Sequence, residues 1–107
     1  GQPRAMGLAP TAESLSAEKA EEWGLIWKCV DDDALDAEVD AIAQKLASLP
    51  PLRLAAIKSM IRESWSYTLD QELNRQRDAM RRLGFTEDYR EGVSAFLEKR
   101  PPNFVGR

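Results

Sequence analysis

The sequence predicts an all-α protein, an array of four main helices joined by short loops. Three observations predict it. Apolar residues recur at spacings of three and four from residue 34 to residue 99. Helix-start residues precede the periodic runs, with Asp33, Thr68 and Thr86 as caps and Pro51 at a first-turn position. Proline or glycine then closes the runs within a few residues, as Pro50 and Gly84 do. Only one run has strand character, and it is read as a short extended segment near residues 25–30.

Gly1-Gln-Pro-Arg-Ala-Met-Gly-Leu-Ala9 reads like the middle of a helix that Pro10 should stop. It has no N-cap and no initiator methionine, so residues 1–15 are read as the remnant of a core helix and a linker, cut from a longer protein. Residues 16–107 are then a helical domain. Ser16 caps the next start, acids follow in the first turn, and Gly24 takes the C′ position. Leu15 can staple onto Ala20, with Trp23 on the inner face. Leu25-Ile-Trp-Lys-Cys-Val30 resembles an edge strand without a partner, with Trp27 and Cys29 on one side. Cys29 has no base nearby and reads as a packed side chain.

Asp33 is the expected cap of a helix over 34–49, whose stripe is Leu35, Val39, Ile42, Leu46 and Leu49. The triple aspartate lacks the glycine and distal glutamate of a calcium loop, so capping is its expected role and no metal site is assigned. The helix over 51–67 should turn Leu54, Ile57, Ile61 and Trp65 inward. Thr68-Leu-Asp-Gln71 is a capping box that opens the helix over 68–84. Leu69, Leu73, Gln76, Met80 and Leu83 form its stripe. Arg75, Arg77, Arg81 and Arg82 make one locally basic surface, either a solvated face paired with Glu72 and Asp78 or a face for an anion.

Thr86 caps the last helix, over 87–99. Tyr89, Val93, Phe96 and Leu97 share one face, and Lys99 and Arg100 lie at the dipole's negative end. Gly92 in mid-helix costs roughly 1 kcal/mol against alanine, which points to close packing or a bend there. Pro101 and Pro102 forbid continuation.

Composition narrows the function. The chain has 107 residues, 43% of them apolar, and a net charge of −3. An acidic balance argues against a nucleic-acid partner. No apolar run reaches a membrane span, and no charged region followed by an apolar run suggests a secretory leader. With a single cysteine there is no disulfide framework, so a cytoplasmic setting is expected. There is no histidine, no cysteine cluster, no glycine-rich phosphate loop and no G-x-S-x-G elbow. The sequence displays no active site, and no catalytic residue is assigned.

The run E-D-x-x-E-G-x-x-A-F-L-E-K-R-x-P-x-F from Glu87 to Phe104 resembles the closing signature of the enoyl-CoA hydratase/isomerase (crotonase) family. Arg4-Ala-Met-Gly-Leu-Ala9, Thr11, Leu15-Ser-Ala17, Ala20, Gly24-Leu25 and Val30 resemble an earlier stretch of the same family, and Leu52, Ala56, Lys58 and Thr68-Leu-x-x-x-Leu73 its next two helices. The wording E-E-W-G-L-I-W-K-C-V-D-D, with T-L-D-Q-E-L, is similar to the branch that isomerises ring epoxides in phenylacetyl-CoA catabolism. Pro10 and Ala12 depart from the family, which usually has leucine and glycine there.

The resemblance implies a C-terminal region that covers the acyl pocket and builds trimer contacts, so a homo-oligomer is expected. In the family, an upstream β/α core holds the acyl-CoA thioester and stabilises an enolate with two backbone N–H groups. None of that core maps onto this chain. The expected substrate in the intact parent is an acyl-CoA, with no separate cofactor, no nucleic acid and no membrane. Three residues match positions near CoA: Lys99, the lysine that reaches the adenosine phosphate end on a neighbouring subunit; Met80, in the place of an aromatic; and Phe96, on the covering helix. Each also has an ordinary reading, as a solvated lysine or as packing residues. The alternative function is a free-standing helical interaction module derived from such enzymes.

Overall fold

Six α-helices and two 3₁₀ turns carry the chain in the computed structural model, which describes residues 1–107 and contains no strand. They are α1 (Gln2–Thr11), α2 (Ala17–Glu22), α3 (Leu35–Ala47), α4 (Pro51–Glu63), α5 (Leu69–Gly84) and α6 (Glu87–Glu98). The 3₁₀ turns are Asp32–Ala34 and Ser64–Ser66. The all-α expectation holds, with six helices in place of four because both N-terminal segments also form. By compactness the chain divides into two units, Gly1–Val39 and Asp40–Arg107.

In the first unit Pro10 does not stop α1. The helix runs through it to Thr11, and Ala12 closes the helix at φ 51° with its N–H on Leu8 O. A proline this close to a C-terminus removes one bond from a turn that is already fraying. The Thr11 hydroxyl adds a side-chain bond in the same last turn, donating to Gly7 O at 2.9 Å. Ala12 thus takes the left-handed conformation that a glycine adopts without strain.

Ser16 caps α2 by accepting from the Lys19 amide, and Gly24 ends it at φ 71°. Leu25 N–H returns to Ala20 O and Gly24 N–H to Glu21 O, both at 2.8 Å, which is a Schellman closure. That closure is what defeats the edge-strand reading. The amides of Leu25 and Ile26 both turn back to Ala20 O. Residues 25–27 bend and 28–30 run on unpaired, so strand-forming side chains stand there without a strand. The cap of the next helix also differs from expectation. Asp31 precedes the 3₁₀ turn without any side-chain cap bond, and α3 begins at Leu35, so Asp33 lies inside a turn.

In the second unit α4 packs on α5, and α5 on α6. Pro51 starts α4 as expected. Leu54, Ala56, Ile57 and Met60 form its half-buried face. Ile61 and Trp65, inward by the helical period, are both exposed, Trp65 at 96%. Trp65 lies in the 3₁₀ turn, whose tighter winding carries it off the α-helical stripe.

The capping box of α5 is complete, with Thr68 N–H on Gln71 Oε1 at 2.9 Å and Gln71 N–H on Thr68 Oγ1 at 3.3 Å. Its inner face departs from the expected stripe. Glu72, Arg75, Ala79 and Leu83 turn inward, whereas Leu69, Leu73 and Met80 lie open. Ala79 is small enough for close helix approach. Arg75 reaches Glu63 at 2.6 Å and stacks on the Tyr67 ring at 4.1 Å. The fully buried apolar residues of the whole chain are three alanines, Ala20, Ala79 and Ala95. Twenty large hydrophobic residues are exposed.

Candidate functional site

The last helix and the segment after it supply both the polar and the apolar features of the second unit. Thr86 caps α6 by accepting from the Tyr89 amide at 3.1 Å, while its hydroxyl donates to Leu83 O. Lys99 ends the helix in the left-handed conformation at φ 54°. Lys99 N–H reaches Phe96 O and Arg100 N–H reaches Ala95 O, so the chain turns back along α6.

Two carboxylates three residues apart on α6 receive the returning chain. Asp88, only 3% exposed, accepts from Val105 N–H at 2.7 Å and from Gly106 N–H at 3.0 Å. Its own N–H donates to Arg107 O at 3.0 Å. Glu91 accepts from both terminal nitrogens of Arg100, at 2.6 and 2.9 Å, and from Asn103 N–H at 2.8 Å. The Arg100 guanidinium, and then the Asn103 amide, hold the Glu91 carboxyl down at about 2. Glu91 and Glu98 in turn push Arg100 upward.

Two glycines lie along the return. The Phe104 ring sits where a side chain at Gly92 would reach, 3.6 Å from an added Cβ. The ring packs against Gly92 at ordinary van der Waals distance, and the helix shows no break there. Gly106 has φ 84°, and an added Cβ would stand 3.0 Å from Pro51 Cγ.

Beside the returning segment, and sharing Asp88, Gly92 and Phe104 with it, α6 borders an apolar cleft of about 680 Å³ whose wall also includes Ile57, Met60, Met80, Val93 and Phe96. Two of the three residues singled out from sequence meet there. Met80 is 74% exposed and Phe96 83%. Lys99 is absent from the cleft wall and stands exposed at the turn, its Nζ making no hydrogen bond or ion pair.

The basic surface divides. Arg75 is spent on Glu63, Glu72 and Tyr67, and Arg77 lies 3.2 Å from its neighbour Asp78. Arg81 and Arg82 make no ion pair. The arrangement offers no catalytic set. Asp88 and Thr86 on the cleft are committed to backbone partners, and Arg53, which also lines it, makes no ion pair. No group of three or more histidine, cysteine or acidic side chains stands at ligand spacing. The Cys29 thiol is pushed up by burial and then by Glu18, Glu21, Asp31 and Asp32, away from thiolate chemistry. No helix is long and apolar enough to cross a membrane.

Sequence reasoning missed Asp88, Glu91 and Phe104. Asp88 reads in sequence as a first-turn residue favoured by the dipole. The usable signal was the i, i+3 pair of acids followed by a double proline and an aromatic, which together specify a chain folded back on its helix.

A sequence profile described as Enoyl-CoA hydratase/isomerase matches residues 1–107. The chain is 49% identical over 107 residues to the 1,2-epoxyphenylacetyl-CoA isomerase of Escherichia coli, covering 100% of this chain and 41% of that protein. It is 43% identical over 107 residues to a probable enoyl-CoA hydratase of Rhodobacter capsulatus, covering 100% of this chain and 42% of the relative. Among solved structures, an enoyl-CoA hydratase subunit of Geobacillus kaustophilus superposes with a TM-score of 0.90 at 35% identity. That match covers 98% of this chain and 41% of the other. The chain therefore spans about two fifths of the length of these relatives.

Proposed function

Because the chain belongs to the enoyl-CoA hydratase/isomerase family, we propose that it is the C-terminal helical part of a cytoplasmic enzyme acting on an acyl-CoA through an enolate intermediate. In this reading residues 16–107 cover the acyl site and join subunits into a homo-oligomer, and residues 1–15 lead in from the core. The chain alone is inactive. The observation that carries the reading is the contrast between twenty exposed large hydrophobics and three buried alanines. Such faces suit helices built to lie on something larger. The similarity to an epoxyphenylacetyl-CoA isomerase favours an aryl-acyl substrate from phenylacetate breakdown over a plain fatty acyl chain.

Within this reading Lys99 meets the nucleotide phosphate of CoA held by a neighbouring subunit, and Met80 and Phe96 border the same ligand. The free ammonium of Lys99 supports that role, as does the exposure of both apolar residues. The test is a comparison of the chain with the full-length protein in spectrophotometric assays on crotonyl-CoA and on epoxyphenylacetyl-CoA. Activity is expected only from the full-length protein. Turnover by residues 1–107 above the buffer rate would overturn the proposal.

A further inference from the structure

The turn that ends α6 carries a set of contacts that a covering role does not require. Lys99 stands at φ 54°, ψ 38°, a region unfavourable to any residue with a Cβ and usually filled by glycine. Backbone bonds hold it there, Lys99 N–H to Phe96 O at 3.3 Å and Arg100 N–H to Ala95 O at 3.0 Å. Side chains reinforce them. Arg100 Nε donates to Glu98 Oε2 at 2.7 Å, so the two residues flanking Lys99 are bonded to each other around it. Arg100 Nη1 and Nη2 fork onto Glu91, which also takes the Asn103 amide beyond the double proline.

The same contacts have an electrostatic consequence. Glu91 and Glu98 are the carboxylates at this end of α6, and Arg100 engages both. Ser94 donates to the remaining Glu98 oxygen at 2.8 Å. Neither acid is left to capture Lys99, whose ammonium faces solvent uncompensated. An arginine fork suits this task better than a lysine, because it can satisfy two carboxylates in one fixed plane.

We propose that Glu91, Glu98 and Arg100 are positioning residues for Lys99: they fix the left-handed turn and withhold the local carboxylates, so that the ammonium is presented to the phosphate of a CoA nucleotide. This rests on the reading that Lys99 meets that phosphate. The experiment is calorimetric titration of the full-length protein with acetyl-CoA and with acetyl-dephospho-CoA, which lacks the 3′-phosphate. Lys99→Ala should weaken acetyl-CoA about tenfold, the scale of one hydrogen bond to a charged group, and leave the dephospho ligand nearly unchanged. Arg100→Gln should give a selective loss of about fivefold that disappears in the Lys99→Ala background, since the two then act through one contact.

If Lys99→Ala does not distinguish the two ligands, the Lys99 reading fails and the proposal with it. If Lys99→Ala does distinguish them but Arg100→Gln weakens both ligands alike, or adds fully to Lys99→Ala, only the positioning role is overturned. Should Arg100→Gln not fold by circular dichroism, Arg100→Lys takes its place, because it keeps the positive charge and loses the fork that engages Glu91 and Glu98. A selective loss of about threefold for acetyl-CoA is expected from it, and a loss equal for both ligands, or no loss at all, would overturn the positioning role.

Discussion

Two adjacent faces of α6, with Gly92 and Phe104 common to both, solve opposite problems. One side meets the returning C-terminal segment, and there every polar group finds a partner in its own chain: Asp88 takes two amides, Glu91 takes Arg100 and Asn103, and Gly92 admits the Phe104 ring. The other side presents Tyr89, Val93, Phe96 and Leu97, all exposed, along an apolar cleft. A residue on the first side is satisfied by what this chain contains. A residue on the second side is apolar without being buried. Burial and hydrophobicity therefore part company on a single helix, and the partition marks where another surface is expected.

The largest effect should come from the open side. Apolar area left in water is unfavourable by roughly 25 cal/mol per Å². Pairing several hundred Å² between copies would favour association by several kcal/mol before the entropic cost of joining them. Sedimentation equilibrium of the 107-residue chain at micromolar concentration is expected to show a dimer or larger species. Phe96→Glu, on the wall of the cleft, should shift it towards monomer. A wild-type monomer with no concentration dependence would mean that the open side needs no partner.

The closed side should yield next. Asp88→Ala leaves the amides of Val105 and Gly106 without acceptors, which costs about 2–4 kcal/mol on the usual scale for buried donors and charged hydrogen bonds. Urea denaturation of the full-length protein would read that loss. An effect under about 0.5 kcal/mol, the ordinary range for surface substitutions, would show that the return is a loose strap.

Glu91 makes the same side sensitive to acid. Its carboxyl is held at about 2 in the folded chain by Arg100 and the Asn103 amide, below the ordinary 4.5. A depressed folded value means that its contribution is fully present above about pH 4.5 and fades as pH falls towards 2. Melting temperature should accordingly fall over that window. Glu91→Gln should flatten the fall, and an unchanged acid slope in that variant would remove Glu91 from the account.

Much of this molecule was legible in its sequence, and the part that was not follows from the same partition. Caps and stops are local chemistry, so Ser16, Thr68 with Gln71, Thr86 and Gly24 could be placed from sequence alone. Stripe residues reveal which side is apolar but do not name what covers it. Leu73 and Met80 obey the helical period as well as Leu83 does, yet only Leu83 is half-buried within the chain. Met80 and Phe96 line one cleft, whereas the face that α5 turns inward carries Glu72 and Arg75. Pro10 misled for a different reason, because its cost depends on its distance from the helix end, and Thr11 is where α1 ends.

The glycines sharpen the comparison at its finest scale. Gly106 belongs to the closed side and cannot be spared. At φ 84°, with Pro51 Cγ 3.0 Å from the place of a Cβ, it meets both a conformational and a steric objection. Gly106→Ala should cost about 1–2 kcal/mol, a left-handed penalty plus a small displacement of the proline ring. A neutral result would mean that the tail relaxes freely away from α4.

Gly92 faces the same returning segment and should behave in the opposite way. Its backbone is helical, and a Cβ there would meet Phe104 at 3.6 and 3.8 Å, which is ordinary contact. The helix interior gains up to about 1 kcal/mol when glycine becomes alanine, chiefly through the smaller entropy of the unfolded chain. Gly92→Ala should therefore raise the denaturation midpoint slightly while leaving the Phe104 packing in place. Gly92→Leu, whose longer side chain must displace the ring, should lower it. If alanine destabilises as much as leucine, the return lies closer to α6 than van der Waals contact, and the closed side has no room for even one added methyl group. If both are tolerated, Phe104 can leave the helix at little cost, and the closed side depends on Asp88 and Glu91 alone.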